Sequence, residues 1–229
     1  GSDLEGKDIQ NLTSAHKLAG SAYTLEQIIA AGIENCKRAC APYGALTALD
    51  VGPLGELLEP SGTLAFEDAV AEYARIVKAG EAAGADLIFF ETYTDLYELK
   101  AALLAAKENT RLPILASMSF EAGGRTFTGC TVESFAATAR GLGADAVGIN
   151  CSLGPKEIFP MAKRLAEAVP GNFPVFVKPN AGLPRADGSG YDITPQLFAL
   201  QMKPYRELHL FAAGGCCGTT PEFIKLLNG

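Results

Sequence analysis

Histidine is almost absent from this chain. Among 229 residues there are two, His16 and His209, so a metal site or a general base has to be built largely without imidazole. Basic residues are also few, 19 Lys and Arg against 26 Asp and Glu, for a net charge of −7. That excludes the broad basic footprint of a nucleic-acid-binding protein. No apolar run approaches the ~18 residues that cross a bilayer. No signal peptide opens the sequence, and Gly1-Ser2 reads as an expression scar. Neither CxxC nor HExxH zinc spacing occurs, and no glycine-rich phosphate loop follows the first predicted strand, which weakens a dinucleotide-binding open sheet. Six cysteines without a secretory signal point to reduced thiols in a cytoplasmic protein with no membrane partner.

What is present is a regular alternation. Hydrophobic residues make up 48% of the chain, enough for one large domain with a substantial core. Six short apolar runs read as strands buried on both faces: residues 45–51, 86–92, 113–120, 145–151, 173–180 and 208–215. Helical patterns fill the gaps. Thr24 and Gln27 form a capping box before a helix to about Ala41, and further helices are predicted over 66–83, 95–109, 131–142 and 155–169. Thr194-Pro195 and Thr220-Pro221 each read as an N-cap followed by proline at the first helical position. Gly84 and Gly143, each in a "GAD" triplet, read as helix C-caps. The pattern is a parallel α/β fold. A (β/α)8 barrel needs eight strands. With six, the chain is either a doubly wound sheet or a barrel without its first one or two strands.

In parallel α/β folds the chemistry sits at the carboxyl ends of the strands. There stand Asp50, Glu91, Ser119, Asn150 with Cys151, Asn180, and Cys216 with Cys217. Cys36 and Cys40 continue the helical stripe of Ile29 and Ile33 and read as small buried hydrophobes, while Cys130 reads as packed or idle. Cys151 and the adjacent pair are different, because neither lies on a helical stripe. Two packed thiols, a strained disulfide or ligands to one metal all remain open for them. Gly214, Gly215 and Gly218 would let the backbone bend so that two neighbouring sulfurs face one point. Zinc–sulfur bonds of about 2.3 Å put tetrahedral ligand sulfurs roughly 3.8 Å apart, within reach of adjacent side chains. Three cysteine ligands leave a fourth position open, as in catalytic sites.

Two segments together, "GINCSLGP" (148–155) and "GGCCGTTPE" (214–222), resemble the homocysteine-binding domain of methionine synthases and related homocysteine methyltransferases. The likeness extends through "DVGPLGELLEPSGTLAFEDA" (50–69), "LIFFETYTDLYELKAALLAAKE" (87–108), "RTFTG" (125–129) and "KPNAGLPR" (178–185). It covers 15–229, leaving 1–14 as the scar and a remnant of an N-terminal region. "KPNAGLP" and "GTTPE" look most like the cobalamin-dependent methionine synthases. The resemblance implies a (β/α)8 barrel whose Cys151, Cys216 and Cys217 bind one zinc ion, with homocysteine as fourth ligand through its sulfur. It implies that Glu91 meets the substrate amino group, with Asp50 and Asn150 as further candidates for substrate contact or for tying loops to the barrel mouth. The expected reaction is methyl transfer to a zinc-activated homocysteine thiol. The expected donor is methylcobalamin on a corrinoid-carrying domain or protein, since no Asp-x-His-x-x-Gly cobalamin motif occurs in these residues. Family members carry two strands before the first helix found here, so a non-catalytic zinc- or thiol-binding module from an incomplete barrel is the alternative.

Overall fold

A computed structural model describes residues 22–227. The remnant at 1–14, its boundary at Ala15 and His16 lie outside the described residues. Six strands alternate with helices: β1 (Ala48–Val51), β2 (Leu87–Tyr93), β3 (Ile114–Met118), β4 (Ala146–Asn150), β5 (Val175–Lys178) and β6 (Ala212–Ala213). They belong to one sheet in chain order, β1-β2-β3-β4-β5-β6, and the β1–β2, β4–β5 and β5–β6 pairs are parallel. Among the described residues the α-helices are α1 (Leu25–Cys40), α2 (Phe66–Ala82), α3 (Leu96–Asn109), α4 (Val132–Gly141), α5 (Pro155–Ala168), α6 (Pro195–Met202) and α7 (Pro221–Leu227). No described helix is long and apolar enough to cross a membrane.

The chain divides into two compact units. Of the described residues, one takes in those up to Glu91 with Tyr97–Leu115 and Leu142–Ala144; the other takes in Thr92–Leu96, Ala116–Gly141 and those from Asp145 on. In the first, α1 starts at the expected capping box: the Thr24 hydroxyl accepts the Gln27 N–H at 3.2 Å, and the Gln27 side chain accepts the Thr24 N–H at 2.9 Å. The helix buries Leu25 and Ile33, and Cys36 and Cys40 beyond them are half-buried rather than core residues. On β2, Ile88 and Phe90 are fully buried, with the Phe90 ring edge-on to Tyr73 of α2 at 6.0 Å. Leu87, Phe89 and Glu91, on the other face of the strand, are half-buried. Glu98, in the first turn of α3 and 4% exposed, accepts the Leu54 N–H at 2.6 Å and the Tyr73 hydroxyl at 2.9 Å. A buried carboxylate needs such donors, and the helix N-terminus favours its charge. It fastens the loop that follows β1.

In the second unit β4 is buried along its whole length, as a strand covered on both faces should be. β6 is shorter than the predicted run over 208–215. Lys203–Leu208 coils into tight 3-10 turns and His209 is left-handed (φ 49°), so the chain becomes extended only near Phe211. Thr194 caps α6, its side chain accepting the Leu197 N–H. Gly84 and Gly143 take positive φ, 84° and 89°, as C-caps do.

Candidate metal centre

β4 and β5 end side by side, with Asn150 paired to Lys178. Beyond them the backbone turns sharply. Cys151 (φ 63°) and Ser152 (φ 60°) are both left-handed, a conformation that costs a non-glycine residue about 1–2 kcal/mol. Hydrogen bonds hold them there: Cys151 N–H to Lys178 O at 3.1 Å, Asn180 N–H to Leu153 O at 3.0 Å, and a 2.5 Å contact between the Ser152 and Ser119 hydroxyls. The segment after β6 is tied to the same place. Cys216 N–H donates to Pro179 O at 2.8 Å, Cys217 N–H to the Asn180 side-chain oxygen at 3.0 Å, and Ala181 N–H to Cys217 O at 2.9 Å.

These bonds bring three sulfurs together. Cys151 Sγ lies 3.6 Å from Cys217 Sγ, Cys216 Sγ lies 4.0 Å from Cys217 Sγ, and all three fall within 4.8 Å of one another. The 3.6 and 4.0 Å separations bracket the roughly 3.8 Å edge of a tetrahedral zinc–thiolate site. Cys151 and Cys216 are half-buried and Cys217 is exposed, so the group is open on one side. An all-sulfur donor set suits zinc. Three ligands leave one tetrahedral position for a group from outside.

Without metal the thiols share charge among themselves. The neighbouring Cys216 thiol holds Cys151 down to about 7 against its burial. Cys151 in turn, with burial second, drives Cys216 far above the ordinary thiol range. Burial, then Cys217, pushes up the Tyr191 hydroxyl. Tyr191 belongs to the hairpin-like loop between β5 and α6, where Pro184 bridges Tyr191. Its ring lies against Gly218, and a Cβ built there would meet Tyr191 Cγ at 2.3 Å.

Asn150 is fully buried. Its side chain bonds Thr92, Ser117 and Cys216. Asp50 and Glu91 belong to the first unit, on neighbouring strands in which Asp50 pairs with Phe89. Asp50 is exposed and lines a cavity of about 240 Å³ with Leu54 and Ile76. Glu91 is half-buried, two residues before the end of β2. Cys130 stands apart from the sulfur cluster: it is half-buried, and burial pushes its thiol up to about 11. Thr92, Ser117 and Tyr191 did not stand out in the sequence. Ser117 alone had a local signal, a hydroxyl inside an apolar strand.

The sequence matches the profile of the homocysteine S-methyltransferase family over residues 10–228. It is 35% identical over 150 residues to the methionine synthases of Mycobacterium leprae and of Mycobacterium tuberculosis. Those alignments cover 62% of this chain and 12% of each of those proteins. Among solved structures, the metallated form of the homocysteine methyltransferase MmuM from Escherichia coli matches with a TM-score of 0.74 at 23% identity, over 92% of this chain and 73% of that one. The apo form matches with a TM-score of 0.72 at 21% identity, over 100% of this chain and 88% of that one. That likeness establishes the fold as a TIM-type α/β barrel, of which the described residues supply six strands.

Proposed function

Because the chain belongs to the homocysteine S-methyltransferase family, we propose that it methylates the sulfur of homocysteine. Cys151, Cys216 and Cys217 would hold one zinc ion, and the substrate sulfur would enter the fourth position. The observation that carries this reading is the convergence of three sulfurs from the ends of two strands, open on one side.

A bound zinc ion would supply deprotonation: a coordinating thiol loses its proton outright, whereas a free thiol with a pKa near 8.5 is only a few per cent thiolate at pH 7. The three cysteines bring three negative charges to a dication, so the site carries an excess of one and favours an electron-rich sulfur. Glu91 pairs with the substrate ammonium through a charge-assisted hydrogen bond and sets its direction. Asp50 is a further candidate for substrate contact. The thiol proton leaves to solvent, so the reaction needs no general base, in keeping with a chain of two histidines. The methyl group comes from a methylcorrinoid on another domain or protein. The likeness to methionine synthases supports that donor, and the chain spans 12% of their length.

Cys217→Ser tests the ligand assignment. Zinc and homocysteine binding should be lost while the far-UV circular dichroism stays as in the parent. Unchanged zinc content in that variant would remove the assignment. If the chain binds zinc and homocysteine but transfers no methyl group from methylcobalamin or any other donor, it is a binding module and not an enzyme.

A further inference from the structure

We propose that Asn150 is a positioning residue for the metal centre, acting through Cys216 by presenting a fixed N–H to its sulfur. The proposal rests on the metal-site reading above. It starts from a saturated side chain. A primary amide has two N–H donors and two acceptor lone pairs. On Asn150, which is fully buried, the oxygen accepts the Ser117 hydroxyl at 2.8 Å and the Thr92 N–H at 3.2 Å. The nitrogen donates to the Thr92 hydroxyl at 2.6 Å and to Cys216 Sγ at 3.7 Å.

The orientation of the amide follows from chemistry. A backbone N–H can only donate, so the atom facing Thr92 N has to be the oxygen. The nitrogen is then forced toward Cys216. A reversed amide would set donor against donor at Thr92 and oxygen against sulfur at Cys216, two unfavourable contacts in a buried place.

Thr92 gives the network a second end. It is left-handed (φ 66°), which is uncommon for a β-branched residue and strained by about 1–2 kcal/mol. Both its N–H and its hydroxyl go to Asn150. Thr92 directly follows Glu91 in the chain. One buried amide thus braces the left-handed residue after Glu91 on β2, a hydroxyl on β3 and the sulfur of Cys216. An N–H directed at a thiolate draws off part of its charge and fixes its side-chain rotamer. Partners of this kind set ligand orientation and metal affinity, and losing one typically costs 10–100-fold in affinity.

Asn150→Asp is the informative variant. It keeps the oxygen that accepts from Ser117 and Thr92 N–H, and the Thr92 hydroxyl can turn to donate to the second oxygen. What it removes is the N–H facing the sulfur. Ser117→Ala is the control, removing a bond to the amide and leaving the N–H···S contact. Both are loaded with zinc by competition titration and with Co(II) for spectroscopy. Asn150→Asp should bind zinc about 10–100-fold more weakly and move the thiolate-to-cobalt charge-transfer band to lower energy. Ser117→Ala should keep the band at its original position. An unchanged zinc affinity and band in folded Asn150→Asp would overturn the proposal, as would an equal band shift in Ser117→Ala. Failure of the parent chain to take up either metal would instead overturn the metal-site reading beneath it. If Asn150→Asp does not fold, the ¹¹³Cd-loaded parent decides: scalar coupling between the cadmium and the Asn150 amide proton supports the bond, and its absence refutes it.

Discussion

Gly218→Ala probes how the cysteine pair is held. The residue sits at φ 79°, where an L side chain costs about 1–2 kcal/mol. A methyl group there would also meet Tyr191 at Cδ2 and Cγ, both 2.3 Å away, and at Cβ, 2.9 Å away. Carbon atoms pack at about 3.5–4.0 Å, so the ring has to retreat by more than an ångström. It cannot do so by rotation alone, because Cβ is among the crowded atoms. The loop backbone carrying Tyr191 has to shift, and forcing an extra methyl into a packed contact costs about 1–3 kcal/mol. The two effects together come to about 2–5 kcal/mol. Urea unfolding of the metal-free chain measures it, with Gly171→Ala as reference, since a Cβ at Gly171 meets nothing within 4 Å. Gly171→Ala should stay within about 0.5 kcal/mol of the parent. A Gly218→Ala chain equally close to the parent would refute the packing of Tyr191 on this glycine.

Glu98→Gln should lower stability by about 1–3 kcal/mol in the same assay, because the buried carboxylate accepts from both Leu54 and Tyr73 and an amide is a weaker acceptor; a neutral result would show that this carboxylate does not anchor the loop after β1. Glu133, bonded to Arg164 at 2.7 Å, has its carboxyl held down to about 2. Its folded pKa lies below the unfolded value near 4.3, so its contribution is present above about pH 4.3 and is lost as pH falls through about 2. Both side chains are roughly half exposed, which limits the pair to under about 1 kcal/mol; an NMR titration midpoint for Glu133 near 4.3 would contradict the bond. In the metal-free chain at pH 8, iodoacetamide should alkylate Cys151, held near 7, ahead of Cys130, pushed up to about 11; the reverse order by peptide mapping would contradict the assigned environments.

The sequence revealed most where a signal is local. The Thr24–Gln27 capping box and the Thr194 cap need only four residues, and both formed as expected. The apolar runs marked the six described strands, although only β4 is buried along its whole length and Ala212 and Ala213 of β6 are exposed, so coverage on two faces holds for part of the sheet alone. The cysteine cluster was legible because two of its members are adjacent and the third ends a strand. The reason for the flanking glycines was only partly legible. Gly218 does take a positive φ, but a Tyr191 ring 27 positions back in the chain fills the space beside it. The bracing around Asn150 was hidden for the same physical reason. It joins side chains from β2, β3 and β4, and the left-handed turn at Thr92 leaves no mark in local composition.

In the proposed site three cysteines hold one zinc ion whose open position takes the substrate sulfur. That arrangement is tested most directly by measuring zinc content in the reduced chain together with proton release on adding homocysteine. The expected result is one zinc per chain and about one proton released per homocysteine bound near neutral pH. A reduced, folded chain that takes up no zinc, or that binds homocysteine without releasing a proton, would contradict it.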